Sequence, residues 1–114
     1  MSTNASPCGV TIERQPGPTQ MSQPCAVLGD IRVLDFTRVL SGPYCTAMLS
    51  DLGAEVIKIE GPGGGDPSRS FLPPDIAGES TYFLQLNRNK LSVVLDLATP
   101  AGKCAAVELA ASAD

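Results

Sequence analysis

The residues best placed to bind a ligand follow three short apolar runs of the sequence. Thr37–Gly42 follows the first run, Gly61–Arg69 the second and Leu95–Thr99 the third. If these runs form parallel strands, their carboxyl ends meet at one edge of a sheet, where open α/β sheets bind ligands. Ser41 and Gly42 also open a predicted helix, whose unpaired N–H groups attract an anion such as a phosphate or a carboxylate. The alternative is that Ser41 only caps the helix.

Other polar residues each have a chemical and a structural interpretation. Asp35 could be a catalytic carboxylate, but at the end of a strand it more often accepts backbone N–H bonds and orders the next loop. Asn87–Lys90 could grip phosphates but is more typical of a turn, and Arg69 could bind phosphate but is more often solvated. Gly63–Asp66 matches no nucleotide-binding glycine pattern and predicts a mobile loop. Cys45 is expected to be a small buried residue inside a helix.

Composition excludes several classes of function. The chain has 114 residues, 43% of them hydrophobic, a formal net charge of −4 and no histidine. It therefore holds no Ser-His-Asp triad, no histidine-ligated zinc and no histidine base. The acidic balance argues against a nucleic-acid partner, and no apolar run approaches the ~18 residues of a membrane span. The four cysteines form no C-x-x-C pair, so we expect no metal site.

The N-terminal part of the chain differs from the rest. Residues 1–29 contain one acid, one base and four prolines, and their apolar residues follow no period. Such a segment buries too little to offset its ordering entropy, so we predict a flexible extension. It lacks the charged and apolar regions of a secretory signal. We therefore expect a cytoplasmic protein with reduced thiols.

Residues 31–60 have the pattern of a strand, a helix and a second strand. Ile31–Phe36 is an apolar run with β-branched residues, and Glu55–Glu60 alternates polar and apolar residues. Between them, Ser41 begins a helix and Gly53 ends it. The predicted helix carries one apolar stripe, Tyr44, Ala47, Met48, Leu49 and Leu52. This length fits one βαβ unit with parallel strands.

The rest of the chain predicts a third strand and a final helix. The strand covers Leu91–Leu97, and Tyr82–Leu84 is a shorter apolar approach to it. Thr99 caps an alanine-rich helix with Pro100 in its first position. An α/β crossover helix should lead to another strand, so we expect an incomplete fold at the front of a longer protein, with one sheet edge uncovered. The competing view is a small, complete three-stranded domain.

These elements predict the α/β class, with a Rossmann-like parallel sheet and crossover helices over residues 30–114. The residue pattern predicts an anion-binding site at one edge of that sheet, but it does not identify a reaction.

Two longer strings and several short motifs resemble the opening of the family III CoA-transferases, the CaiB/BaiF type of the formyl-CoA transferase and alpha-methylacyl-CoA racemase superfamily. The strings are VLDFTRVLSGP at Val33–Pro43 and DLGAEVIKIE at Asp51–Glu60. The short motifs, in matching order, are Gly65-Asp66, Arg69, Tyr82-Phe83, Asn87–Lys90, Ser92, Leu95–Leu97 and Thr99–Gly102. The resemblance covers about residues 30–114.

The resemblance implies a Rossmann-like domain that binds coenzyme A, in a homodimer whose chains interlock. Its transferase members use an aspartate that attacks an acyl-CoA thioester and forms a mixed anhydride, after which a carboxylic acid takes over the CoA. That aspartate belongs downstream of the matched motifs, so we assign no catalytic residue in this chain. The implied partners are an acyl-CoA and a carboxylic acid acceptor. Racemisation of a 2-methylacyl-CoA and a non-catalytic CoA-binding subunit remain alternatives.

The resemblance also places seven residues near CoA: Leu40, Ser41, Gly61, Leu95, Asp96, Leu97 and Ala98. Gly61 falls where many members have an arginine near the nucleotide, and Ala98 ends a stretch that often closes with lysine. Each lost charged contact would be worth about 1.5–3 kcal/mol if buried. Either Arg38, Arg69 or Lys90 compensates, or CoA binds more weakly.

Overall fold

The computed structural model describes residues 26–114 of the chain. The elements in chain order are β1 (Arg32–Asp35), α1 (Ser41–Asp51), β2 (Glu55–Glu60), a 3-10 helix (Pro67–Ser70), β3 (Asp75–Ile76), β4 (Glu79–Ser80), α2 (Thr81–Asn87), β5 (Leu91–Val94) and α3 (Pro100–Ala111). Most of the predicted extension, residues 1–25, lies outside the described part. Residues 26–29 lie beside the end of α1, where the Leu28 N–H donates to the Leu52 carbonyl at 3.1 Å.

The main sheet has three parallel strands in the order β1–β2–β5. Val33 of β1 pairs with Val56, and Leu91 of β5 pairs with Ile57. This arrangement confirms the predicted α/β class and its parallel sheet. A separate antiparallel pair, β3 and β4, is not predicted by the sequence pattern.

The central strand β2 is buried on both faces. Ile57 and Ile59 form the core with Leu109 of α3. Lys58 and Glu60 alternate with these residues along the strand, and they are buried too, at 1% and 3% exposure. Polar and apolar alternation is typical of a half-buried strand. Here the polar face is also covered, because charged partners from two loops pack onto it.

The predicted helix boundaries at Ser41, Gly53 and Thr99 are confirmed, but the predicted capping role of Ser41 is wrong. Thr99 caps α3, and its hydroxyl accepts the Gly102 N–H at 3.0 Å. Gly53 follows α1 with a φ of +102°, a conformation that favours glycine. Ser41, in contrast, does not cap α1. Leu40 occupies the cap position because its carbonyl accepts the Tyr44 N–H at 2.8 Å, which makes Ser41 the first helical residue.

Tyr82–Leu84 lies in α2 and is not an approach to a strand. Ser80 explains the difference, because its hydroxyl accepts the Phe83 N–H at 3.3 Å and so caps a helix. A capped run of seven residues is too short for periodicity to separate helix from strand.

The face of α1 that packs on the sheet differs from its predicted apolar stripe. The buried residues are Pro43, Thr46, Ala47 and Ser50. Tyr44, Met48 and Leu52 are about half exposed, at 52%, 44% and 48%. Cys45 is exposed too, so its predicted burial is wrong. The helix turns small and hydroxyl-bearing residues inward because Asp35 lies beneath it and accepts a bond from Thr46 at 2.6 Å.

β5 is an edge strand of the sheet, and its Leu91 and Val94 are 55% and 62% exposed, so the predicted uncovered edge is observed among residues 26–114. Cys45 is a free thiol, whereas Cys104 is disulfide-bonded, and the expectation of reduced thiols is wrong for Cys104.

Within residues 26–114, each helix is too short or too polar to cross a membrane.

Candidate functional site

A cavity of about 410 Å³ lies at the carboxyl edge of the parallel sheet. Its lining is Phe36, Arg38, Ile59, Glu60, Gly61, Pro62, Leu95, Asp96 and Leu97. These residues come from the ends of β1, β2 and β5 and from the loops that follow them. The prediction that three loops meet at this edge is confirmed, and the volume falls in the usual range for ligand sites.

The structure brings together four of the seven residues that the resemblance places near CoA. Gly61, Leu95, Asp96 and Leu97 line the cavity. The other three lie outside the lining. Leu40 and Ser41 are exposed at the start of α1, and Ala98 is exposed beyond Leu97, where its N–H donates to Asp96 Oδ1 at 2.9 Å.

A buried ion pair fixes the loop between β1 and α1. Lys58 Nζ lies 2.9 Å from Asp66 Oδ2, and both side chains are almost fully buried. Lys58 Nζ also donates to the Thr37 carbonyl at 2.8 Å. Asp66 accepts the Val39 N–H at 3.2 Å. The pair therefore holds the residue before Arg38 and the residue after it.

The backbone of Val39 is strained, and its contact with Asp66 holds it in that conformation. Its φ is +69°, a conformation that is a genuine outlier for a β-branched residue. Such strain costs on the order of 1–3 kcal/mol and persists where surrounding contacts determine it. Asp66 supplies that contact, and it is held in turn by the Ser68 N–H at 2.9 Å and the Ser68 hydroxyl at 2.7 Å.

Hydrogen bonds keep the Asp66 carboxylate ionised. Burial by itself would raise its pKa, but the Ser68 N–H, Lys58 and the Ser68 hydroxyl outweigh burial and lower the pKa to about 2. The prediction of a mobile glycine loop is therefore wrong at its end, because Asp66 is a buried anchor.

Asp35 and Lys90 form a second buried pair beneath α1. Their charged atoms are 3.1 Å apart, and Lys90 Nζ also donates to the Pro43 carbonyl at 2.9 Å. Asp35 accepts the Thr37 N–H at 2.8 Å, which confirms its predicted role in ordering the next loop. Burial would raise the pKa of Asp35, but its bonds from Thr37, Thr46 and Lys90 lower it. Burial lowers the pKa of Lys90 despite its contact with Asp35.

Glu60 and Arg69 form a third ion pair at the cavity wall. Arg69 donates to Glu60 Oε2 at 2.8 Å and to Glu60 Oε1 at 2.6 Å, and its guanidinium lies 3.8 Å from the centre of the Phe83 ring. Hydrogen bonding to Arg69 lowers the pKa of Glu60 to about 2, with support from Ser92 and against the effect of burial. Arg69 is therefore a paired and partly buried side chain, and the structure gives no support to the phosphate interpretation.

The Asn87–Lys90 cluster forms the predicted turn. Asn89 has a φ of +61°, and Asn87 Oδ1 accepts a bond from Lys90 at 3.0 Å. Arg88 pairs with Asp51 at the surface. Because both cations of the cluster have carboxylate partners, the structure gives no support to the phosphate interpretation.

Another depression, of about 380 Å³, surrounds the glycine loop. It is lined by Gly63, Gly64, Gly65, Asp66, Pro67, Arg69 and Ser70. Its two charged residues, Asp66 and Arg69, already have partners. The cavity at the strand edge is therefore the better candidate site. Within residues 26–114, no group of three potential ligand side chains could hold a metal ion.

Sequence reasoning missed part of the cavity wall. Phe36 and Ile59 were expected to be strand residues only, and Pro62 was not singled out. The signal that could have found them is their position, because each lies within two residues of a predicted strand end.

Comparison with known proteins identifies the family. The model of "CoA-transferase family III" matches residues 28–114. The chain belongs to this family. This finding confirms the resemblance seen in the sequence. Over the same 87 residues, the chain is 54% identical to the succinyl-CoA:glutarate CoA-transferase of Mus musculus and 47% identical to the formyl-CoA:oxalate CoA-transferase of Afipia carboxidovorans. Each match covers 76% of this chain and 20% of the relative.

Solved structures of family members agree with the fold. A CAIB/BAIF family protein from Brucella suis superposes with a TM-score of 0.71 at 40% identity, covering 76% of this chain and 24% of that one. A hypothetical protein from Mycobacterium tuberculosis gives a TM-score of 0.68 at 48% identity, covering 76% and 23%. The chain of this family III member thus spans about a fifth of the length of the curated relatives named above.

Proposed function

We propose that the protein moves coenzyme A from an acyl-CoA to a carboxylic acid, and that this chain supplies part of the CoA-binding site. The observation that carries the proposal is the cavity at the strand edge. It is built from three loops that match the family motifs, and it combines an apolar wall with one cation. Family membership supports the use of CoA.

The cavity wall suits a nucleotide-bearing ligand. Phe36, Leu95 and Leu97 offer apolar surface to a base or a pantetheine arm, and the nearby first turns of α1 and α3 offer backbone N–H groups to phosphates. Leu40, Ser41 and Ala98 lie at or beside these helix starts. They are proposed to contact the parts of CoA that extend beyond the cavity.

The reaction is proposed to pass through an aspartyl nucleophile outside this chain. Its carboxylate would attack the thioester carbonyl and expel the CoA thiolate, giving a mixed anhydride. The acceptor carboxylate would then attack the aspartyl carbonyl of this anhydride and expel the donor acid as its carboxylate. The returning thiolate would attack the acyl carbon of the acceptor, which forms the new thioester and frees the aspartate. The residues described here hold CoA during these steps and do not bond to the acyl group.

The substrate class follows from the relatives. Glutarate and oxalate, the acceptors in the two names, are both dicarboxylates. We propose a dicarboxylate acceptor for this protein, in an enzyme that acts as an interlocked homodimer. The racemase alternative gains no support from these relatives, which are named as CoA-transferases. The non-catalytic alternative rests on the glycine and alanine at Gly61 and Ala98.

Calorimetric titration of the full-length protein with CoA tests the binding role. Leu97→Arg places a long side chain in the cavity and should weaken CoA binding at least tenfold. Val107→Arg on α3 is the matched control, because Val107 is 69% exposed and lies outside the cavity lining. Equal CoA affinity in the two variants would remove this cavity from the CoA site.

A transfer assay tests the activity. Succinyl-CoA and formyl-CoA are offered as donors, with glutarate and oxalate as acceptors, and new CoA esters are measured by mass. Formation of the acceptor thioester is the expected result. CoA binding without transfer to any acceptor would favour the non-catalytic subunit.

A further inference from the structure

The cations considered as ligands for a phosphate of CoA are Arg38, Arg69 and Lys90. Two of them, Arg69 and Lys90, already form ion pairs. Arg69 is bound through two nitrogens to Glu60 and covers the Phe83 ring. Lys90 is 1% exposed and bonded to Asp35 and to the Pro43 carbonyl. A phosphate could reach Lys90 only by breaking a buried ion pair, which is costly. Arg69 is 34% exposed, but two of its nitrogens are already bonded to Glu60.

Arg38 differs from both. It lines the cavity at the strand edge, and it is the one cation in that lining among the residues that the structure describes. Its guanidinium makes no hydrogen bond or ion pair with residues 26–114. It is exposed, so a ligand can reach it without displacing a protein partner.

The backbone on both sides of Arg38 is fixed by one buried ion pair. Lys58 donates to the Thr37 carbonyl, and Asp66 accepts the Val39 N–H. Val39 takes a left-handed conformation to do so, with a φ of +69°. Strained residues of this kind are found where a site needs a fixed geometry. A buried pair and a strained residue therefore hold a side chain that has no partner of its own among residues 26–114.

The acidic residues of the lining do not neutralise Arg38. Both oxygens of Glu60 accept bonds from Arg69, and they also accept the Asp66 N–H and the Ser92 hydroxyl. Asp96 accepts the Ala98 N–H in an exposed turn. Among residues 26–114, the lining thus presents the unpaired cation Arg38 and the carboxylate of Asp96, which form no ion pair with each other.

We infer that Arg38 binds a phosphate group of CoA. This inference rests on the proposed function, because it takes CoA as the ligand of the cavity. An arginine suits a phosphate through paired N–H bonds.

The test compares Arg38→Gln with Arg88→Gln in the full-length protein. Both changes remove one positive charge, but Arg88 pairs with Asp51 at the surface outside the cavity. CoA, dephospho-CoA and pantetheine are titrated into each variant and into the wild type. The expected result is a loss of CoA affinity of about tenfold or more in Arg38→Gln, as for a charged hydrogen bond. Arg88→Gln should bind as the wild type does.

The ligand series separates a phosphate contact from a general defect. Pantetheine has no phosphate, so Arg38→Gln should not change its affinity. A loss that vanishes with dephospho-CoA assigns Arg38 to the 3′-phosphate, and a loss that persists assigns it to the pyrophosphate. Unchanged CoA affinity, or an equal loss for pantetheine, overturns the inference and leaves the proposed function standing. Failure of the wild type to bind CoA overturns both.

Discussion

The two loops that face each other across the cavity are held in different ways. The β1–α1 loop, Thr37–Leu40, is fixed by charged side chains that are distant in sequence, Lys58 and Asp66. The β5–α3 loop, Leu95–Thr99, is fixed mainly by its own residues, because Asp96 accepts the Ala98 N–H and the Thr99 hydroxyl. The β1–α1 loop, the first wall of the cavity, therefore depends on a buried network of charged side chains. The β5–α3 loop, the second wall, is a turn held by its own residues.

This difference explains what the sequence could predict. The second wall is local, and residues such as Thr99 and Pro100 signal it directly. The parallel strands and the meeting of their loops are also readable, because hydrophobic runs and element lengths determine them. The site residues Gly61 and Leu95–Leu97 follow from those rules and from the family motifs.

The first wall could not be predicted in the same way. The alternating pattern of the strand predicts that Lys58 faces solvent. The side chain is buried instead, because it pairs with Asp66, eight residues away. Lys90 reads as part of a turn, yet it pairs with Asp35 across 55 positions. No periodicity or propensity specifies such pairs, since tertiary packing alone brings them together. Within the described residues, Arg38 is identified as the unpaired cation of the cavity lining only after these pairs are known.

The largest expected effect is the loss of the buried anchor of the first wall. Asp66→Ala leaves Lys58 buried without its carboxylate and releases the Val39 N–H. The free energy of unfolding of the full-length protein should fall by about 3–5 kcal/mol, measured by denaturant titration. The matched control is Asp51→Ala, which breaks the surface pair with Arg88 and should cost about 0–1 kcal/mol. Similar losses in the two variants would contradict the contrast between buried and exposed pairs.

Acid should weaken the same anchor without any mutation. The pKa values of Glu60 and Asp66 are lowered to about 2 from 4.5 and 3.8. A carboxyl whose folded pKa is depressed stabilises the fold above its unfolded pKa, and that contribution is lost as pH falls through the folded value. Thermal melting temperatures should therefore fall between about pH 4.5 and pH 2. Asp66→Asn should show a shallower fall, and an identical pH profile for wild type and variant would argue against this role.

A smaller loss of stability is expected where the first turn of α3 contacts the β5–α3 loop. A Cβ at Gly102 would lie 2.0 Å from the Asp96 carbonyl oxygen, so Gly102→Ala must push the turn away from α3. The expected cost is about 1–3 kcal/mol of unfolding free energy. Gly61→Ala is the control, because no atom lies within 4 Å of its Cβ position, and it should stay within about 0.5 kcal/mol of wild type. Equal stability of the two alanine variants would show that the turn tolerates displacement.

The smallest expected effect concerns the charge of the second wall. Asp96→Asn keeps an oxygen to accept the Ala98 N–H but removes a negative charge from the cavity lining. CoA affinity should rise about twofold, since an exposed charge contributes on the order of 0.5 kcal/mol. Asp51→Asn, outside the cavity, should leave the affinity unchanged. Weaker CoA binding in Asp96→Asn would mean that this carboxylate contacts the ligand directly.

The most direct test is the crystal structure of the full-length protein with bound CoA. We predict that the nucleotide part lies between Arg38 and Leu95–Leu97, with a phosphate oxygen within about 3.2 Å of the Arg38 guanidinium. A nucleotide found away from the carboxyl ends of β1, β2 and β5 would contradict the account.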